Sequence, residues 1–143
     1  MKYGSVLDKK NILITGGTGS FGYQILKELV DYSPKSIRIF SRDEDKQNTM
    51  KQEIQNQKIS KITKFIIGDV RDYDSLLTAC KDVDIVFHAA ALKQVPTVEL
   101  YPYEAVKTNI IGSHNLVRAA IAKNVKHVML LFINGKEVGI VVI

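Results

Sequence analysis

The chain alternates between short apolar runs and longer segments in which apolar residues recur every three or four positions. The short runs are typical of strands buried on both faces, and the longer segments are typical of amphipathic helices. The predicted strands are residues 12–14, 36–41, 62–67, 84–88 and 127–133. This alternation predicts an α/β fold, a Rossmann-type doubly wound parallel sheet of order 3-2-1-4-5, with its ligand crevice at the carboxyl ends of strands one and four.

Each predicted helix has an apolar stripe that is expected to face the sheet. In the first helix the stripe is Phe21, Ile25, Leu26, Leu29 and Val30, and in the second (residues 43–57) it is Met50 and Ile54. In the third it is Leu76, Leu77 and Cys80, and in the fourth (residues 102–124) it is Val106, Ile110, Val117 and Ile121. Asp72 is expected to cap the third helix.

The end of the chain follows a different pattern. Asn134-Gly135 stands between two apolar runs, which predicts a hairpin with a type I′ turn. Residues 136–143 would then pair antiparallel with strand five as an edge strand. An apolar edge strand can pair with another subunit, so a homo-oligomer could form there. No linker interrupts the pattern, and residues 1–143 are interpreted as one domain.

Composition narrows the classes of function. The net charge is +5, and the charged residues are scattered along the chain. This distribution favours solvated helix faces, with binding of phosphate-bearing small molecules as a second use, over binding of nucleic acid. The single cysteine, Cys80, cannot form an internal disulfide and is interpreted as a buried apolar residue of a cytoplasmic protein. Neither a long apolar run nor the apolar core of a signal peptide is present, so no membrane span is expected. No metal site is predicted.

The residues from Asn11 to Gly22 carry the strongest indication of function. An apolar strand is followed by Gly16, Gly19 and Gly22 and then by a helix, which is the arrangement of a dinucleotide-binding turn. Gly16 can adopt a turn conformation closed to other residues, Gly19 lets a pyrophosphate approach the backbone, and Gly22 lets the helix pack closely. The N–H groups and the positive dipole end around residues 18–21 would bind the phosphates.

The end of predicted strand two indicates which dinucleotide is bound. A carboxylate there would bind the ribose hydroxyls of NAD, whereas arginine favours the 2′-phosphate of NADP. Ser41 and Arg42 occupy the expected contact positions, and Lys46 follows one turn later. NADP is therefore favoured over NAD. Asp43 is a carboxylate near this strand end, so NAD is kept as the alternative cofactor. Asp43 could instead cap the following helix.

Asp69 and Val70 come directly after predicted strand three. Asp69 is placed to reach the edge of an adenine, and Val70 would pack on the ring. The alternative interpretation is that Asp69 only forms a turn.

Five segments together resemble one protein family. They are Thr-Gly-Gly-Thr-Gly-Ser-Phe-Gly at 15–22, Ser-Arg-Asp-Glu at 41–44, Gly-Asp-Val-Arg at 68–71, His-Ala-Ala-Ala-Leu-Lys-Gln-Val-Pro at 88–96 and Lys-Thr-Asn-Ile-Ile-Gly at 107–112. Over about residues 10–130 the chain resembles the extended short-chain dehydrogenase/reductases that act on nucleotide sugars. The last two strings are most similar to the UDP-N-acetylglucosamine 4,6-dehydratases of bacterial surface-polysaccharide synthesis, the CapD-like branch.

The resemblance implies a tightly held NADP that removes hydride from C4 of the sugar, after which water is lost across C5 and C6 and hydride returns. It also implies that Lys93 stands between the cofactor and the sugar and binds both. The other implied cofactor contacts are Gly16, Thr18, Gly19, Ser20, Phe21 and Gly22 at the pyrophosphate turn, Ser41, Arg42 and Lys46 at the adenosine phosphate, Asp69 and Val70 at adenine, Ala89 and Ala90 at the ribose, and Thr108 at the nicotinamide half.

The sequence departs from that family after strand five. Family members carry a catalytic Tyr-x-x-x-Lys pair on the next helix, followed by a region that binds the UDP-sugar. No tyrosine follows Tyr103 here. Tyr103 and Lys107 have the same spacing but precede strand five, so no catalytic residue is assigned. His88 is interpreted as a strand-end residue that faces the crevice and is not a base.

Three functions stay open. The prediction is the NADP-binding half of a nucleotide-sugar dehydratase without turnover of its own. The first alternative is an oxidoreductase completed by a partner chain that supplies the UDP-sugar site. The second is a non-enzymatic module for dinucleotide binding or assembly, and fold alone does not choose between them.

Overall fold

The computed structural model of the 143-residue chain describes residues 4–89, 102–134 and 137–142. The strands are β1 (Asn11–Thr15), β2 (Ser36–Ser41), β3 (Thr63–Ile67), β4 (Ile85–His88), β5 (His127–Asn134) and β6 (Glu137–Val142). The helices are α1 (Gly4–Leu7), α2 (Ser20–Leu29), α3 (Glu44–Ile54), α4 (Tyr73–Ala79), α5 (Pro102–Ala105) and α6 (Gly112–Ala122). A π-helical segment, Val106–Ile111, joins α5 to α6, and 3₁₀ turns cover Val30–Tyr32 and Lys58–Ile62.

The sheet has the predicted topology. Its order is β3-β2-β1-β4-β5-β6, with β1 to β5 parallel and β6 antiparallel to β5. Asn134 pairs with Glu137, so β5 runs through the asparagine that was expected to start the turn. The prediction that Asn134 and Gly135 are the two central residues of a type I′ turn is therefore wrong for Asn134, and residues 135 and 136 lie outside the described residues.

Alternate residues of the central strands face two separate cores. Leu13 of β1 and Val86 of β4 pack beneath α4 and α6. Ile12 and Ile14 of β1 pack on the opposite face, beneath α2 and α3. All four side chains are fully buried, as expected for a parallel sheet covered on both faces. The carboxyl ends of β1 to β4 thus lie side by side at one edge of the sheet.

The apolar stripe predicted for the long helix is wrong at two of its four residues, Ile110 and Ile121. Val117 is half-buried, and the Val106 side chain lies outside the described part of the structure. Ile110 is 64% exposed and Ile121 is 72% exposed. The buried residues of α6 are instead Gly112, Asn115, Leu116, Ala119 and Ala120. A π-helical turn contains more residues than an α-helical turn, so the phase of the helix shifts before α6 begins.

Two smaller expectations were also wrong or incomplete. Val30 is exposed, because α2 ends at Leu29 and a 3₁₀ turn follows.

The polar helix α3 buries Gln47 in addition to the predicted Met50 and Ile54. Asp72 caps α4 as predicted, since its side chain accepts hydrogen bonds from the N–H groups of Asp74 and Ser75.

Candidate functional site

The turn after β1 depends on glycine at two positions. Gly16 has a φ of 67°, in the left-handed region, and its N–H donates to the carbonyl of Phe40 at 2.8 Å. At Gly22, a Cβ would lie 2.4 Å from Cα of Gly17 and 2.6 Å from the carbonyl oxygen of Gly16. The first turn of α2 is therefore held directly against the turn that precedes it. Only a residue without a side chain fits there.

The start of α2 is accessible and has no side-chain cap. Gly19 is the N-cap residue, with extended backbone at φ −73° and ψ 168°, and its N–H donates to the carbonyl of Gly16 at 3.1 Å. Gly19 and Ser20 are exposed. The first turn of a helix presents N–H groups that have no carbonyl partner within the helix, and its dipole is positive at that end. Thr18 and Phe21, also predicted to bind phosphate, lie in the same turn.

Gly17 was missed as a residue of this turn. It is buried, and a Cβ there would lie 2.7 Å from Cγ2 of Ile39 on β2. The adjacent glycine pair, Gly16-Gly17, was the available signal. The turn therefore packs so closely on β2 at Gly17 that a side chain would not fit without a shift of Ile39.

The carboxyl end of β2 carries one buried hydroxyl and one exposed guanidinium. The Oγ of Ser41 accepts a hydrogen bond at 2.9 Å from Nε2 of Gln47, which also donates to the carbonyl of Ile66 at 2.9 Å. Arg42 is half-exposed. Gln47, which sequence reasoning missed as a site residue, thus ties the ends of β2 and β3 together. It has the helical spacing of Met50 and Ile54, but that spacing does not by itself indicate a site residue.

The carboxylate of Asp43 caps α3. It accepts the N–H of Lys46 at 3.0 Å, as the capping interpretation requires. Lys46 lies in the first turn of α3 and is exposed. The structure therefore gives Asp43 a structural role and leaves the Arg42 and Lys46 side chains at the surface of this strand end.

Asp69 joins the ends of β2 and β3 electrostatically. Its Oδ1 accepts the N–H of Arg71 at 2.9 Å, and its Oδ2 accepts Nε and Nη2 of Arg71 at 2.9 and 2.7 Å. Nη1 of Arg42 lies 3.9 Å from the same Oδ2. Burial alone would raise the pKa of Asp69, but the hydrogen bonds and charge of Arg71, with the charge of Arg42, lower it overall. Asp69 forms the turn that the alternative interpretation expected and is ionised at neutral pH.

Helix α6 packs against the loop that contains Val70. A Cβ on Gly112 would lie 2.6 Å from Cγ2 of Val70, and Nδ2 of Asn115 donates to the carbonyls of Val70 and Arg71 at 3.2 and 3.1 Å. The Val70 side chain is buried in the core beneath α6, so it presents little surface on which an adenine ring could pack.

His88 does not face the crevice. It is only 4% exposed and bonds to Thr15 of β1 and Ser113 of α6, with Nδ1 at 2.6 Å from Oγ1 of Thr15 and Nε2 at 3.0 Å from Oγ of Ser113. The Ser113 hydroxyl donates to the carbonyl of Asn109 at 2.7 Å. These bonds assign the Nε2–H tautomer. Burial lowers the pKa of His88 to about 4, so the ring is neutral at physiological pH.

Residues beyond β4 are described in part. Ala89 is buried, and its N–H donates to the carbonyl of Thr15 at 3.0 Å. Thr108 is buried in the π-helical segment. Ala90 and Lys93 lie outside the described residues.

The Tyr-x-x-x-Lys spacing in this region forms a surface pair. Nζ of Lys107 lies 4.5 Å from the ring centroid of Tyr103, and the tyrosine is exposed. No group of metal ligands occurs within residues 4–89, 102–134 and 137–142. Across those same ranges, no helix has the length and apolar character needed to cross a membrane.

Comparisons with known proteins place this geometry in a family. Residues 12–134 match the model of a family described as polysaccharide biosynthesis protein. A UDP-glucose 4-epimerase of Rickettsia bellii is 56% identical over 126 residues, which cover 85% of this chain and 36% of the relative. The chain therefore spans about a third of that relative's length.

Two solved structures share the fold. Pen from Bacillus thuringiensis superposes with a TM-score of 0.83 at 42% identity, over 87% of this chain and 39% of Pen. The UDP-glucose-4-epimerase of Stenotrophomonas maltophila, with bound NAD and formylated UDP-arabinopyranose, has a TM-score of 0.71 at 25% identity, over 85% of this chain and 36% of that protein. Because the family model covers most of the sequence, this chain belongs to the polysaccharide biosynthesis protein family, whose N-terminal, Rossmann-type part it represents.

Proposed function

We propose that these residues bind the diphosphate of a nicotinamide dinucleotide at the start of α2. The observation that carries the proposal is the N-cap Gly19, which lies exposed at the positive end of the helix without a side-chain cap. A Cβ at Gly19 would have only the Gly16 carbonyl oxygen nearby, at 3.3 Å, among the described residues outside its chain neighbours. This open side of Gly19 supports the approach of a phosphate to the start of α2.

The adenosine half of the cofactor would lie across the ends of β2 and β3. Arg42 and Lys46 provide two exposed cations there, which suits the 2′-phosphate of NADP better than the neutral ribose of NAD. Asp43 is engaged as a helix cap, which weakens the case for a carboxylate on the ribose. NAD is the alternative, and the NAD bound to the Stenotrophomonas epimerase favours it.

We further propose that the chain is the cofactor-binding half of an enzyme that acts on C4 of a UDP-sugar. When bound, the nicotinamide accepts and returns a hydride. The residues described here would hold the dinucleotide at its diphosphate, through N–H groups at the start of α2, and at its adenosine half, through Arg42 and Lys46. The implied role of Lys93 between cofactor and sugar, and that of Ala90 beside the ribose, remain predictions.

Two activities fit that chemistry. The motif strings favour a UDP-N-acetylglucosamine 4,6-dehydratase, whereas the names of the Rickettsia relatives, at 51–56% identity, favour a 4-epimerase. The former would yield a 4-keto-6-deoxy product and the latter would invert C4. We expect neither product from these 143 residues alone, because the acid–base tyrosine of the resembled family has no counterpart after Tyr103.

Isothermal titration of the purified chain with NADP and with NAD tests cofactor binding. We expect NADP to bind more tightly, and Arg42→Ala to weaken NADP by about tenfold with little effect on NAD. Lys64→Gln removes a cation from an exposed position on β3 and is the matched control. Equal losses for both cofactors in Arg42→Ala would remove the 2′-phosphate role. Binding of neither cofactor to the wild-type chain would overturn the proposal itself.

Assay with UDP-N-acetylglucosamine separates the enzymatic alternatives. A 4-keto product from the chain alone would contradict the expectation of no turnover. Product that forms only when a second polypeptide is added would support the completed oxidoreductase. Cofactor binding without product under either condition would fit both the cofactor-binding half without turnover and the non-enzymatic module.

A further inference from the structure

The carboxylate of Asp69 lies between two arginines but does not bind them equally. Arg71 donates three hydrogen bonds to it, one from the backbone and two from the guanidinium, at 2.7 to 2.9 Å. The nearest guanidinium nitrogen of Arg42 is 3.9 Å away, beyond hydrogen-bonding distance. Asp69 is therefore paired mainly with Arg71.

This unequal pairing determines which of the two arginines carries the net positive charge of the group formed by Arg42, Asp69 and Arg71. The Oδ2 atom that Arg42 approaches already accepts both guanidinium bonds of Arg71, so its negative charge is largely compensated. Arg71 is also the less exposed of the two arginines, at 31% against 53%. The net charge of the three residues is thus concentrated on the outer cation, Arg42, at the end of β2.

We propose that Arg71 is a specificity-determining residue that keeps Arg42 available to the 2′-phosphate of NADP by engaging Asp69. The inference depends on the proposed dinucleotide function. Without Arg71, the ionised Asp69 would pair directly with Arg42, and the phosphate would then have to displace that carboxylate. Arg71 acts through Asp69 and Arg42 in this role, and no contact between Arg71 and the phosphate is required.

The geometry also separates this role from simple support of the loop. The loop that carries Val70 and Arg71 is held independently by Nδ2 of Asn115, through the two carbonyl groups. The backbone N–H of Arg71 donates to Asp69 whichever side chain the residue carries. Arg71→Gln therefore removes the guanidinium and leaves these other contacts of the loop in place.

The test is a set of titrations with NADP and NAD on the wild-type chain, Arg71→Gln, Asp69→Asn and the double variant. For Arg71→Gln we expect NADP affinity to fall by about tenfold and NAD affinity to change by less than about threefold. Adding Asp69→Asn should restore the preference for NADP, because an amide at 69 carries no charge to compete for Arg42. Loss of a structural support would not be reversed by removing a second group.

Each outcome bears on the inference. An unchanged ratio of the two affinities in Arg71→Gln, or no restoration in the double variant, would overturn it. If Arg71→Gln does not fold, as judged by circular dichroism, Asp69→Asn alone decides, since it should keep or increase the NADP preference and a decrease would overturn the inference. Binding of neither cofactor to the wild-type chain would instead refute the proposed function. Lys64→Gln again controls for the loss of one positive charge.

Discussion

The hydroxyl of Thr15 lies 2.6 Å from Nδ1 of His88, and this bond joins the carboxyl ends of β1 and β4 inside the protein. The other ring nitrogen reaches Ser113 of α6, so one neutral imidazole links the sheet to the helix that covers it. The His88 side chain is buried and supports the carboxyl ends of β1 and β4, where the sequence predicts the ligand crevice. It is not placed as a catalytic base.

His88 should make stability depend on pH. Its folded-state pKa is about 4, below the ordinary value of 6.5, so the unfolded chain takes up the proton first as pH falls. Stability contributed by the neutral ring is therefore full above about pH 6.5 and is lost between about pH 6.5 and pH 4. Between pH 7.5 and about pH 5 we expect a loss of about 2 kcal/mol in the free energy of unfolding, measured with urea.

The matched variants for that measurement are His88→Asn and His114→Gln. His114 is exposed on α6, and its replacement controls for the loss of one imidazole. His88→Asn should be less stable at neutral pH but should show a loss on acidification smaller by about 2 kcal/mol. The same loss in His88→Asn as in the wild type would show that other groups cause the pH dependence.

Ser113→Ala should destabilise the protein by about 1–3 kcal/mol, because it leaves the Nε2–H of His88 without its acceptor. Urea unfolding at neutral pH measures this. Thr15→Ser retains a hydroxyl opposite Nδ1 and should cost less than Thr15→Val. A stable Ser113→Ala variant would mean that the hydrogen bond contributes little.

Gly22→Ala should reduce the stability of the fold, whereas Gly19→Ala should keep the fold and reduce cofactor affinity. The first places a methyl group 2.4 Å from backbone and should reduce stability by more than about 2 kcal/mol, as judged by thermal melting. The second adds a methyl group near a single atom at 3.3 Å, with φ already suitable for alanine, so folding should be kept. Gly19→Ala should weaken cofactor binding because the methyl group reduces the space in front of the helix. Full affinity in that variant would place the diphosphate elsewhere.

Cys80 should be inert in the folded protein. Burial raises the pKa of its thiol to about 11, despite the opposing effect of Arg38, so little thiolate exists at neutral pH. We expect a thiol reagent to label the native chain only slowly and the chain in guanidinium chloride at once. Rapid labelling of the native chain would contradict the burial of α4 against the sheet.

The topology was predictable because each strand has its own apolar run and each crossover has a recognisable helix. The buried face of α6 was not, since the sequence interpretation placed Val106, Ile110, Val117 and Ile121 on that face. Close packing on Val70 instead requires a small residue, Gly112, and the π-helical segment shifts the helix phase. Large apolar residues therefore indicated the wrong face.

The site was predictable where backbone conformation dictates residue type, as at Gly16. The site was not predictable where a side chain has several possible hydrogen-bond partners. Asp69 could be recognised as a turn residue or as an adenine contact, but its bonds to Arg71 depend on side-chain geometry. Gln47 shares the helical spacing of Met50 and Ile54, but that spacing does not reveal the hydrogen bonds of its amide to the ends of β2 and β3.

The most direct test of phosphate binding at α2 is an NMR titration of the 15N-labelled chain with NADP. Amide resonances of residues 16–22 should show the largest shift changes, followed by those around Arg42 and Asp69. Unchanged resonances in residues 16–22, with the shift changes located on another surface, would contradict the central claim that the start of α2 receives the diphosphate.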